Sequence, residues 1–152
     1  METYELVLFV HVLAAIVWIG GAMAIQALAI MTMGRGDAVA ISRFSGDAEK
    51  IGMRIFLPAS LVVVLAGGWL VYDGPWTTDT TWISISLGLY VLSFLTGAGF
   101  LGPESGRISK LTAQHGPEHP DVQRRIRRVL LVSRIELVWL VAIVALMVLK
   151  PA

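Results

Sequence analysis

Four nearly continuous apolar stretches dominate the chain: Leu6 to Met33, Ile55 to Tyr72, Trp82 to Leu101 and Val129 to Leu149. A helix needs about 20 residues to cross the hydrocarbon of a bilayer, so each stretch is long enough to span. No water reaches the bilayer core. Every backbone N–H and C=O must therefore bond within its own segment, which makes the stretches helices. A barrel would show alternating strands of about 10 residues, and the chain has no such alternation. Only 15% of residues are charged and 56% are apolar, against about 25% charged in a soluble domain. The composition argues against a water-soluble fold and excludes an intrinsically disordered chain. The expected fold is all-α, a four-helix transmembrane bundle forming one integral membrane domain over residues 1–152.

The basic residues are unevenly placed. Arg35, Arg43, Lys50 and Arg54 lie between the first and second spans. Arg107, Lys110, Arg124, Arg125, Arg127 and Arg128 lie between the third and fourth. The connection from Asp73 to Thr81 has neither Lys nor Arg, and Lys150 alone follows the last span. The positive-inside rule puts both long basic loops in the cytoplasm and both termini outside, which describes a multi-pass membrane protein. Tyr4, Tyr72, Trp76 and Trp82 fall at the outer interface, where an aromatic belt belongs. The first span follows acidic Glu2 and Glu5 and is too long for a signal peptide, so Ala22-Met23-Ala24 reads as mature structure rather than a cleavage site. Arg124 to Arg128 form a patch for anionic lipid. No basic residues interleave with aromatics as nucleic-acid readout requires.

The basic loops are themselves expected to be partly helical. Ile41, Phe44, Ala48, Ile51 and Ile55 fall on one helical stripe, with Asp37 as N-cap. Gly116-Pro117-Glu118-His119-Pro120 ends any helix, and Asp121 caps the next one.

Ionisable residues within hydrocarbon are functional candidates by default. His11 shares a face with Ala15, Trp18, Ala22 and Ala29, spaced by helical periods. An imidazole there serves as a haem or metal ligand or a proton site, or simply bonds a neighbouring helix. Gly20 and Gly21 follow Trp18, and Gly20 with Ala24 makes a small-xxx-small contact surface. Glu136 lies too deep and is too short to snorkel. It needs a donor from another helix, Arg54 or Gln26, because Arg134 two residues away points elsewhere. The expected intramembrane polar set is Glu136, Arg54, Arg134 and Gln26. His115 and His119 have metal-pair spacing, but Pro117 and Pro120 break the helix that would align them. The chain has no cysteine, which removes disulfides, thiolate metal sites and cysteine catalysis. It also lacks phosphate-loop, dinucleotide, nucleophile-elbow and HExxH motifs.

As a set, five segments resemble the DUF2269 family of bacterial integral membrane proteins: Glu5 to Gly21, Asp47 to Ser60, Gly68 to Trp76, Phe94 to Glu104 and Arg124 to Arg134. The pattern of His11, Ala15, Trp18, Gly20 and Gly21 is also similar to the first helix of copper-resistance D-type membrane proteins. More distantly, it resembles the His-bearing helices of small haem-binding membrane enzymes. The resemblance implies a role for His11 as ligand to haem b or copper. One intramembrane His cannot supply both axial ligands of a bis-His haem. The second ligand would be His11 of a partner in a homodimer, or Met147.

Two functions follow. One is a non-enzymatic transport or membrane-complex protein whose polar residues fix packing or pass a solute. The other is a haem- or metal-carrying redox protein using His11.

Overall fold

The computed structural model describes residues 3–151. Four long helices follow in chain order: α1 (Thr3–Gly34), α2 (Ala38–Asp73), α3 (Thr81–His115) and α4 (Pro120–Leu149). Each carries an apolar segment long enough to cross a membrane, and no strand occurs among the described residues. The connections are short turns, so successive helices run antiparallel and the basic loops are mostly helix. One end of the bundle carries the α2–α3 connection and the two chain ends. The other carries the α1–α2 and α3–α4 turns and is called here the basic end.

Local signals set the helix boundaries. Asp37 caps α2 as expected: its carboxylate accepts from the N–H groups of Val39 and Ala40 at 2.9 and 3.3 Å. The cap of α4 is not Asp121. It is His119, whose Nδ1 accepts from the Asp121 N–H at 3.3 Å. Pro120 fits the first helical position because it has no N–H to satisfy, so the cap falls one residue before it. Asp121 instead pairs with Arg124 at 2.5 Å. Gly116, at φ +83°, ends α3, a conformation that glycine adopts without strain.

Three of the helices contain a π-helical turn: Ile16–Gly20 in α1, Gly52–Phe56 in α2 and Gly97–Leu101 in α3. A π turn adds one residue and rotates everything after it by about 100°. This explains one departure from the expected stripe. Ile41 is fully buried, but Ile55, within the second π turn, is 48% exposed. Phe56 takes the inward position and packs directly on Gly21. Close approach therefore belongs to Gly21. Gly20 has open space where a Cβ would stand, so it makes no small-residue contact with another helix.

Two apolar cores hold the bundle. Near the basic end, Ile41, Ile108, Val122, Ile126 and Val129 are buried together. Toward the other end, Trp18, Leu140 and Ile143 form the second core, with Tyr90 and Met147 against it. Among the expected belt aromatics, Tyr72 is 88% exposed but Trp82 is buried. Trp82 packs edge-on against Trp76 at 5.3 Å, and Lys150 lies over the Trp76 ring.

At the basic end, α2 and α3 are joined by reciprocal hydroxyl bonds. Ser42 Oγ donates to the Ser109 carbonyl at 2.9 Å, and Ser109 Oγ donates to the Ser42 carbonyl at 2.7 Å. The buried Glu104 carboxylate ties α3 to α4. It accepts from Arg125 through both oxygens at 2.8 Å and from Arg107 at 2.6 Å. Removing one partner of a fully buried ion pair costs about 3–5 kcal/mol. Arg107 is largely exposed and Arg125 is 31% exposed, so solvent screening reduces that figure. Glu104→Ala is expected to destabilise the bundle by about 2 kcal/mol, and Asp47→Ala, which removes the exposed Asp47–Lys50 pair, by much less. Thermal unfolding in detergent compares the two directly, and equal effects would contradict this account.

Candidate functional site

Two cavities open between the helices, one toward each end. The face of α1 predicted to look inward does so. Trp18 and Ala29 are buried, His11 lines the first cavity, and Ala22, Gln26 and Ala29 line the second. Trp18 contributes to both and stands between them. Its ring meets the Tyr90 ring edge-on at 5.6 Å, and the Tyr90 hydroxyl donates to the Ser60 carbonyl at 3.0 Å.

The first cavity, away from the basic end, has a volume of about 560 Å³. Apart from His11, Thr78, Ser86 and Tyr90, its lining is apolar, and it includes Gly20, Gly67, Gly68 and Met147. The His11 Nδ1 lies 2.9 Å from the Val63 carbonyl on α2. A carbonyl only accepts, so Nδ1 carries the proton and Nε2 of the neutral ring keeps its lone pair. Gly67 makes room for this arrangement, since a Cβ there would stand 3.0 Å from His11 Cε1. Ser86 is 2% exposed and its Oγ has no hydrogen-bond partner.

The second cavity, about 140 Å³, is reached by all three π turns: Trp18, Phe56, Gly97 and Ala98 are among its walls. The π turn of α1 touches that of α2, that of α2 touches that of α3, and that of α3 touches α4. Glu136 from α4 and Gln26 from α1 both line this cavity and are 8% and 7% exposed. The Glu136 carboxylate faces Gly97, where a Cβ would stand 3.4 Å from Oε1.

Of the predicted polar set, only Glu136 and Gln26 are brought together. The expected Glu136–Arg54 ion pair does not form. Arg54 sits in the π turn of α2 with its side chain exposed, and Arg134 is also exposed. Neither lines the cavity, and among the described residues Glu136 makes no ion pair. The extra residue of the π turn sets Phe56 inward and leaves Arg54 on the outside. His115 and His119 do meet, with ring centroids 5.0 Å apart. The tight turn achieves what a helix would have done, but no third ligand stands near. No cluster of three or more His, Cys, Asp or Glu suited to a metal ion occurs among the described residues.

The sequence reading missed the hydroxyls. Ser45 and Ser93 line the second cavity, are each 1% exposed, and have no partner for Oγ. The available signal was the spacing of Ser86 and Ser93, seven residues apart and so on one face of α3.

Four antiparallel apolar helices with polar groups turned inward define an integral membrane protein. The chain belongs to the DUF2269 family, described as predicted integral membrane proteins, whose model matches residues 5–151. Comparison with curated proteins and with solved structures returns no match.

The imidazole contact gives a direct test of the first cavity. Gly67→Ala is expected to push the His11 ring off the Val63 carbonyl and to lower stability by about 1 kcal/mol. Gly68→Ala, with open space at its Cβ position, is expected to change stability little. Unfolding of the two variants in detergent separates these outcomes.

Proposed function

We propose that the first cavity is the working site and that it holds a flat, largely apolar cofactor of the haem b class on His11. The observation that carries this reading is the fixed imidazole. Nδ1 is bound to the Val63 carbonyl at 2.9 Å, and a backbone carbonyl on the far nitrogen is the usual way a ligating His is oriented. Nε2 is left as the coordinating atom. The cavity volume of about 560 Å³ lies within the 300–1,000 Å³ typical of cofactor and small-ligand sites and is far larger than a bare copper ion needs. Gly67 and Gly68 keep one wall shallow, and Met147 offers a thioether as second ligand. His11 of a partner copy in a homodimer is the other source of that ligand. Haem bound in such a site supplies one-electron redox chemistry.

The spectrum tests this reading. Protein purified in detergent after haem-sufficient expression is expected to show a Soret band that His11→Ala abolishes and Met147→Leu shifts. A missing band, or one indifferent to His11→Ala, rejects the reading.

A second reading, transport, rests on a different feature. The two cavities meet at Trp18 and carry polar side chains toward both ends of the bundle. Proton or copper flux into proteoliposomes is expected to be measurable and to fall severalfold in Glu136→Gln. No flux leaves these groups a packing role.

The distribution of Lys and Arg supports an orientation with the basic end in the cytoplasm of a bacterial inner membrane. Within the expected lipid patch, Arg124 and Arg125 are engaged by Asp121 and Glu104. Arg127 and Arg128 are exposed and have no acidic partner among the described residues, and they are the groups available to anionic headgroups.

A further inference from the structure

The Glu136 cavity is separate from the His11 cavity, and its chemistry differs. Its polar lining is a carboxylate, an amide and several hydroxyls, with no Lys, Arg or His among the wall residues. Ser60, Ser105 and Ser133 donate their hydroxyl hydrogens to carbonyls of their own helices, so their oxygens face the cavity as acceptors only. Gln26 Oε1, Ser45 Oγ and Ser93 Oγ are buried without any partner. Buried polar atoms in a native protein are nearly always paired. Ser45 is remote from Glu136, since its neighbour Gly46 packs on Ser109, twelve residues or about 18 Å along α3 from the Gly97 that Glu136 faces. Gln26 and Ser93 share the cavity with a carboxylate that has no counter-charge, and these two orphans point to a ligand from outside the chain.

We propose that this cavity binds a small, hard, monovalent cation of the alkali-metal class, with Glu136 as its counter-charge and Gln26 and Ser93 as neutral oxygen ligands. The donor set is all oxygen, which suits hard cations and not soft ones. The charge selects the valence. One carboxylate and one monovalent ion make a neutral site, whereas a divalent ion would leave a net positive charge inside hydrocarbon, where charge is costly. The cavity, about 140 Å³, has room for an ion that keeps some of its water. The π turns explain how the site fits between packed helices. They swing Phe56 into the wall, and Gly97 leaves space for the Glu136 carboxylate.

Thermal unfolding of detergent-purified protein in sodium, lithium or potassium chloride, against choline chloride at equal ionic strength, tests the proposal. Sodium-22 retention by equilibrium dialysis is the second measurement. Wild type is expected to be stabilised saturably by at least one of the three alkali ions over choline and, where that ion is sodium, to retain the isotope at about one per chain. Glu136→Gln is expected to lose both responses. Ser93→Ala and Gln26→Leu, which keep the carboxylate, are expected to weaken the favoured ion roughly tenfold, as loss of a bond to a charged group does. These two variants carry the test if Glu136→Gln fails to fold. Identical curves in all four salts, or an alkali response unchanged in the variants, overturn the proposal, and the site then holds a proton and water only. His11→Ala is expected to keep the alkali response whatever its spectrum shows, so the two cavities are judged independently.

Discussion

Hydrocarbon satisfies no hydrogen bond, and the rest of this structure depends on that constraint. It forces the apolar stretches into helices with internally paired backbones. It also forces the few polar side chains within them to turn toward one another or toward an enclosed space. The four helices expose Leu, Val, Ile and Phe on their outer faces, and His11, Gln26, Ser86, Ser93 and Glu136 line the cavities between them. Lipid gives no hydrophobic reason for helices to associate. Close approach at Gly21 and the paired hydroxyls of Ser42 and Ser109 help to hold this bundle together.

The two ends are stabilised differently. At the basic end the helices run on beyond their apolar spans, so a water-facing layer forms around Ile41 and Ile108 and is tied by the Glu104–Arg125 bridge. At the other end, aromatic contacts predominate: Tyr4 with Trp69, and Trp76 with Trp82 and Lys150. Between them the π turns widen the helices where the cavities lie. The bundle is thus tied at its ends, with the cavities between the ties.

Much of this was legible residue by residue. His11 and Trp18 were placed on an inward face by helical spacing, and the structure keeps them there; Ala22 and Ala29, beyond the π turn of α1, line the second cavity instead of the first. Asp37 was recognisable as a cap because its carboxylate precedes a helical stripe. Ile55 was misplaced because no residue pattern announces a π turn, and one extra residue changes the face on which every later side chain falls. The Glu136–Arg54 pair failed for the same reason. His115 and His119 were judged separated by proline, yet a three-residue turn brings their rings together.

The sequence alone determined the number of spans and the helical state, because both follow from local composition and from the demand that backbone groups pair within their own segment, and its motifs carried the family. The tertiary structure alone decided which polar residues share a space. It left Glu136 without an ion pair among the described residues, brought Gln26 and Ser93 into the same cavity, and gave His11 the Val63 carbonyl. Such pairings depend on the rotation of one helix against another, and that rotation is fixed by packing at a few glycines and π turns rather than by any pattern within a single helix.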